Sequence, residues 1–291
     1  MSFLLSGKVA IITGANQGLG LAISRRYLNA GASIVMCARN GELLTRAQKE
    51  MTIGLALGQV IEVIPTDVSD FQSVEKMLKA TLQRFGRIDI LVNNAGIYGP
   101  MGPIENVDWG QWIKAIEINL FGSILMCRAV LPTMKKQQKG KIIQLSGGGA
   151  TNPMPNISAY AASKAAIVRF AETLAEEVRE YNIDVNAIAP GALNSRMLDE
   201  VLAAGPEKVG QSFFDKSIKQ KESGGSGFEQ GAELAVFLAS DDSNGITGKL
   251  ISAVWDDWDH WIEHINELRT SDVYTLRRIT GRDRGFSWGD K

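Results

Sequence analysis

Tyr160 and Lys164 stand four residues apart in a segment, Tyr160 to Tyr181, whose apolar spacing reads as a strong helix. Residues so spaced share one helix face. A free phenol titrates near pH ~10, too high for an efficient base at neutral pH, and a neighbouring cation favours its ionised form. The pair therefore has the parts of a proton-transfer device. Alone, Tyr-x-x-x-Lys is common on helix surfaces, so its meaning depends on what accompanies it.

The second chemical signal is the run Thr13-Gly14-Ala15-Asn16-Gln17-Gly18-Leu19-Gly20, set between an apolar strand and a helix. Gly14 permits a tight turn, Gly18 lets backbone approach a pyrophosphate, and Gly20 lets helix pack closely on strand. The helix that starts there offers unpaired N–H donors and a partial positive charge. The strand two elements on, Ser33 to Ala38, ends in Arg39-Asn40 with no carboxylate. An acidic residue there would accept from a ribose 2′-hydroxyl, whereas an arginine fork pairs with a 2′-phosphate. NADP(H) is the favoured cofactor, and NAD(H) stays open if Arg39 only stacks on adenine or forms a surface ion pair.

These residues need a frame, and the pattern supplies one. Apolar, β-branched runs at 9–13, 33–38, 60–64, 89–92, 141–145, 184–189 and 249–253 read as strands. Helical spacing covers 18–30, 42–57, 71–85 with Asp70 as N-cap, 109–136 closing near Pro132, 160–181 and 229–239. Strand alternating with helix predicts an α/β fold: a three-layer, doubly wound parallel sheet, Rossmann-like, of about seven strands. The least regular stretches, 147–158 and 194–228, both follow strand ends where ligands sit in such sheets. Ser223-Gly-Gly-Ser-Gly227 reads as a mobile hinge or lid, or as a plain flexible loop.

In order and placement these motifs resemble the short-chain dehydrogenase/reductase family. The TGxxxGxG turn is followed by Asn93-Asn94-Ala95-Gly96 after the fourth strand, Asn119 in the long helix, and Ser146 at the end of the fifth strand. Tyr160-Ala-Ala-Ser-Lys164 comes next, then Pro190-Gly191 after the sixth strand, with Ser195 at a Thr position. The resemblance covers residues 6 to 254. It implies hydride transfer between the nicotinamide and a carbonyl/alcohol pair, with Tyr160 as general acid/base. Ser146 would bond the substrate oxygen, Lys164 would also hold the nicotinamide ribose, and Asn119 would hold a water that links Lys164 to solvent. Asp67 and Val68 should contact adenine, Asn93 and Ala95 should flank the adenosine ribose, and Gly96, Pro190, Gly191, Leu193 and Ser195 complete the cofactor set. It also implies a homodimer or homotetramer assembled through the two long helices.

The chain departs from that pattern after residue 254, where it continues to Lys291. Residues 1–254 are expected to form the catalytic domain, and 255–291 an extension. Trp255, Trp258, Trp261, Ile262, Ile265 and Leu268 fall close to one helical face, predicting a C-terminal helix docked on the core or a neighbouring subunit, with a substrate lid or wall as the sharper alternative. His260 and His264 have zinc-helix spacing, with Asp256 and Glu263 nearby, but a solvated helix face is the reading taken, and no metal is expected. The basic cluster Arg277 to Arg284, with Lys216, Lys219 and Lys221 beside Met197, Leu198, Phe213 and Phe214, permits an anionic or sugar-like substrate.

The chain has 291 residues, 45% hydrophobic, with formal charge −1 and two cysteines. That charge gives no case for nucleic acid or an anionic membrane. No uninterrupted apolar run reads as a span. Met1 to Lys8 lacks a signal-peptide build, Cys37 and Cys127 read as buried thiols, and a cytoplasmic protein is the default. Two other functions stay in view. A 3-oxoacyl thioester reductase usually has carrier-docking arginines where this chain has Pro132 and Glu176. A non-catalytic dinucleotide-binding regulator would usually have lost the tyrosine or lysine, and both are present.

Overall fold

The computed structural model describes residues 3–288. Met1, Ser2 and 289–291 lie outside it, and with them the ends of the N-terminal reading and of the extension. The elements are β1 Val9–Thr13, α1 Gly18–Asn29, β2 Ser33–Ala38, α2 Gly41–Thr52, β3 Ile61–Pro65, α3 Phe71–Phe85, β4 Ile90–Asn93, α4 Trp109–Ile116, α5 Gly122–Gln137, β5 Gly140–Leu145, α6 Ser158–Glu177, β6 Ile183–Ala189, α7 Arg196–Ala204, α8 Pro206–Val209, α9 Gln211–Ser223, α10 Phe228–Ala239, β7 Leu250–Ser252 and α11 Ile265–Thr270. The strands form one parallel sheet in the order β3-β2-β1-β4-β5-β6-β7.

Strand side chains alternate between two cores, because successive residues of a strand point to opposite faces. Ile12, Met36, Val92 and Ile188 join Ile23 of α1, Leu44 of α2 and Leu234 of α10 on one face. Ile11, Val35, Leu91 and Val185 join Met77 of α3, Val130 of α5 and Val168 of α6 on the other. This is the three-layer arrangement expected from the alternating elements. Cys37 and Cys127 are buried, free thiols, and burial pushes each up to about 12.

Several local readings are corrected. The long helix does not close at Pro132: α5 runs on to Gln137. Pro132 and Arg128, whose carbonyl loses a donor, are exposed, so water can serve that carbonyl while Val130 and Met134 stay buried. Between α4 and α5 the helix widens into a π-turn, Glu117–Phe121. The whole stretch Trp109–Gln137 is long and apolar enough by length and composition to cross a bilayer, unlike the sequence reading. Here it is the crossover between neighbouring strands β4 and β5.

The stretch 194–228 is mostly helical, α7 to α9, rather than irregular. Short helices separated by Gly205 and Gly210, both with positive φ, break the periodicity that would have announced them. The glycine run after α9 is tied down, because Ser226 N–H donates to Ala192 (2.8 Å) and Leu193 bridges to Ser226.

The extension is a 3₁₀ turn, Trp258–His264, followed by α11, not one helix. Trp261 and Leu268 are buried and Trp258 packs beside Phe237, whereas Trp255 and Ile262 are exposed. The tail docks on its own chain.

Candidate active site

A cleft of about 2330 Å³ opens along the carboxyl ends of the strands. At one end lies the glycine turn. Gly14 and Gly18 have φ of +62° and +55°, which favours glycine. A Cβ on Gly20 would lie 2.5 Å from Asn94 Nδ2 and closer still to the Gly14 carbonyl oxygen, so only glycine lets α1 start against the turn. Asn94 braces the turn by donating from Nδ2 to the carbonyls of Thr13 (2.9 Å) and Gly14 (3.2 Å), and the Thr13 hydroxyl accepts from the Asn94 and Ala95 amides. The N-cap residue Gln17 makes no side-chain cap bond to α1, and no acid sits in the helix's first turn. The helix end thus keeps its donors and partial charge for an anion, a fit to a pyrophosphate.

Asn16, Gln17, Gly18 and Leu19 line this end of the cleft, with Arg39, Asp67 and Val68 beyond them. Asn40 spends its side chain capping α2, accepting from Leu43 N–H (3.0 Å), whereas Arg39 is exposed on the cleft without an ion pair among the described residues. Burial acts to raise the Asp67 carboxyl, but Ser69, Lys114 and Arg39 outweigh it and hold it below its ordinary value.

The expected cofactor residues Ala95, Gly96, Pro190, Gly191, Leu193 and Ser195 also line the cleft. Asn93 does not: its side chain is buried against α5, donating to the Ser123 carbonyl (3.1 Å) and to Cys127 Sγ (3.4 Å). Neighbouring residues of a strand face opposite sides, so its neighbour Asn94 serves the turn instead.

Two strands on from the glycine turn, after β5 and on α6, Ser146, Tyr160 and Lys164 line the same cleft. Ser146 is buried, and its hydroxyl has no hydrogen-bond partner among the described residues. Gly147 follows it, and a Cβ there would lie 2.6 Å from Tyr160 Oη, so glycine lets the phenol oxygen approach the end of β5. Tyr98 meets Tyr160 edge to face, with ring centres 4.7 Å apart. Lys164, 6% exposed, donates from Nζ to the Leu145 carbonyl (2.6 Å), and its nitrogen is 5.5 Å from the centre of the Tyr160 ring.

Burial, reinforced by Tyr98, raises the Tyr160 phenol well above its ordinary value, and burial pushes the Lys164 ammonium down to about 8. In the protein alone, burial thus opposes the preference for the tyrosinate that a neighbouring cation gives. Desolvation of the phenolate outweighs a cation already engaged by a carbonyl.

Asn119 is buried at the π-turn. Its Oδ1 accepts from Ile97 N–H (2.9 Å), and its Nδ2 donates to the Ile97 carbonyl (2.8 Å) and to Ser163 Oγ (3.0 Å). Gly96 sits against it: a Cβ there would lie 3.3 Å from Asn119 Oδ1 and 3.7 Å from Lys164 Nζ. Asn119 thus reaches the site from behind, without lining the cleft. Sequence reasoning missed Tyr98 and Gly147, and named Asn94 in its motif without giving it a role. The glycine run after Ser146 was a readable signal for a close approach, but nothing in the spacing marked Tyr98.

The charges that suggested an anionic substrate lie elsewhere. Lys216 and Lys219 do not line the cleft, Lys221 pairs with Asp199, and Arg277 pairs with Asp272 and Glu172. His260 pairs with Asp257 (2.9 Å) on the exposed surface, with Asp259 nearby, and Asp256 instead accepts from Ser252 N–H (2.7 Å).

The depressed Lys164 value has a stability consequence. Below about pH 8 both folded and unfolded chains carry the ammonium, and burying it costs free energy. As pH rises from about 8 toward the ordinary lysine value, the folded form sheds the proton first and stability rises. Measured against Lys164→Met, the wild type is expected to gain on the order of 2–3 kcal/mol in chemical unfolding between pH 7 and pH 10. A difference that does not change with pH contradicts a lysine buried as a cation.

A family model described as short chain dehydrogenase matches residues 8–205. The dehydrogenase/reductase SDR family member 4 of Caenorhabditis elegans is 36% identical over 249 residues, covering 84% of this chain and 93% of that one. The 3-oxoacyl-(acyl-carrier-protein) reductase of Thermotoga maritima is 32% identical over 247 residues, covering 85% and 96%. A solved NAD+-bound xylitol dehydrogenase superposes with a TM-score of 0.78 at 29% identity, covering 85% of this chain and 98% of that one.

Proposed function

This chain belongs to the short-chain dehydrogenase family, and on that premise we propose that it is an NADP(H)-dependent oxidoreductase acting on a carbonyl/secondary alcohol pair, with Tyr160 as the proton-transfer residue. One observation carries the reading. The buried Ser146 hydroxyl, without a hydrogen-bond partner among the described residues, and the Tyr160 phenol line the same cleft as the N-terminus of helix α1, whose N-cap side chain leaves its amides free.

The bound nicotinamide would supply or accept hydride at C4. The protein's own residues do the rest. The α1 amides and the glycine turn hold the pyrophosphate. Ser146 donates to the substrate oxygen and aims it at Tyr160. Burial keeps the phenol protonated, which makes it a donor: an alkoxide developing on the substrate is a stronger base than a phenolate, so the proton moves downhill. Lys164, down at about 8, is suited to return a proton near neutral pH, with Asn119 fixing the loop behind it.

The cofactor preference rests on Arg39. Arg39→Asp is expected to weaken NADP(H) binding about 10–100-fold, the worth of one or two charge-assisted bonds, and to improve NAD(H). Fluorescence titration of both cofactors measures this, and an unchanged NADP(H) affinity would remove the preference.

The 3-oxoacyl reductase relative keeps thioester substrates as a second reading. The expected carrier-docking positions hold exposed Pro132 and Glu176 here, the latter paired with Arg179, which disfavours an acidic carrier. Exposed Trp109, Ile113 and Phe121 on the α4–α5 stretch favour a homo-oligomer with that face covered. Sedimentation showing only monomer at micromolar concentration would contradict it.

A further inference from the structure

The tail after β7 wraps the open edge of the sheet. Trp261 and Leu268 pack on the face that holds α10, and Leu276 packs on the opposite face that holds α6. Between them the strap is fastened at several points. Lys249 is 4% exposed and donates from Nζ to the carbonyls of Ser271 (3.0 Å) and Val273 (2.9 Å). Leu250 N–H donates to the Tyr274 carbonyl (2.8 Å), which closes the edge of β7. The Leu276 amide donates to Glu172 Oε1 (2.6 Å), on a carboxylate 8% exposed.

Tyr274, at the centre of this strap, has φ of +59°. A bulky residue is strained in that region, where glycine is not. The bonds on either side of it are made by backbone atoms, which glycine would supply equally. What the tyrosine adds is its ring, which lies 4.4 Å from the Trp261 ring and lines the same cleft as Tyr160. Trp255, 85% exposed, lines that cleft too. Met197 and Phe213 complete an apolar lining. Of the charged residues there, Arg196 pairs with Glu200, Asp199 pairs with Lys221, and Asp256 is engaged by the Ser252 amide, whose N–H donates to it (2.7 Å).

We propose that Tyr274, with Trp255, forms a tail-built wall of the substrate cleft that selects uncharged carbonyl compounds bearing an apolar or aromatic group remote from the reacting carbon. The proposal rests on the cleft being a reductase site, and its test separates the two. Benzylacetone and butanone share a methyl ketone and differ by a remote phenyl ring. Binding of each is measured by calorimetry with NADP+ present, and turnover separately by NADPH oxidation.

Wild type is expected to bind benzylacetone at least about tenfold more tightly than butanone, a gap of ~1.4 kcal/mol. Tyr274→Gly should erase most of that gap and leave NADP+ affinity unchanged; in its melting temperature the strain relieved at this backbone works against the lost Trp261 ring contact and the greater freedom of the unfolded chain. Tyr274→Phe should restore the gap. No gap in wild type, a gap that survives in Tyr274→Gly, or a phenylalanine variant that behaves like the glycine one overturns the wall. A preserved gap with no turnover of any carbonyl overturns the reductase reading instead.

Discussion

Replacing Tyr160 by phenylalanine is expected to lower turnover by about 10²–10⁴-fold while leaving cofactor affinity near wild type. The expectation follows from what the hydroxyl does and does not touch. Its oxygen lies beside Gly147 at the end of β5, on the cleft, whereas the glycine turn that would hold pyrophosphate follows β1, two strands away in the sheet. The ring would keep its edge contact with Tyr98. Removing the oxygen therefore removes the proton donor and little else. The fold should not suffer, because an isosteric loss of a raised-pKa phenol leaves no buried charge behind. Stopped-flow NADPH oxidation and a cofactor titration on one preparation check both halves. Retained turnover would take Tyr160 out of the proton-transfer role.

Gly20→Ala is expected to have the second-largest effect. The new Cβ would sit 2.5 Å from Asn94 Nδ2 and against the Gly14 carbonyl, both parts of the brace that holds the turn. The Gly14 carbonyl is backbone, and the Asn94 amide is held by its bonds to the Thr13 and Gly14 carbonyls, so α1 must move away from β1. Such overpacking costs ~1–3 kcal/mol of stability. Because the turn opens with it, cofactor affinity should fall by about tenfold or more. Gly18→Ala is the informative contrast. Its Cβ meets nothing nearer than 3.9 Å, on Phe228, but the backbone there is left-handed and faces the cleft. That variant should lose about 1 kcal/mol of stability to strain and most of its cofactor affinity. Thermal melts with and without NADP+ separate the two. Equal, small effects in both variants would contradict the cradle.

Much of this was readable from residue types. Runs such as Val9–Thr13 and Ser33–Ala38 are buried on both faces, and a doubly buried strand writes its own boundaries in apolar residues. The glycine turn was legible because each glycine meets a steric demand that another residue cannot. The α7–α9 stretch was not, because short helices broken by glycines have too few turns for a period to show. The side to which Asn93 points was missed because its alternation with Asn94 is set by the sheet, not by the motif. Spacing is silent on burial for a similar reason: it brings Lys164 to the same face as Tyr160, but the depth of the site and the Leu145 carbonyl that engages the ammonium are set by the packed sheet. The tail was read as one helix, yet its path is set by the open edge of β7, a feature no local pattern encodes.

The most direct test of the central claim uses NADPH carrying deuterium at both C4 positions, incubated with the wild-type protein and a panel of ketones, with each alcohol product analysed by mass spectrometry. The reading predicts deuterium on the carbinol carbon, one per NADP+ formed, and no labelled alcohol from Tyr160→Phe at the same exposure. NADPH left unconsumed across the panel, or alcohol formed at the wild-type rate by the phenylalanine variant, would contradict it.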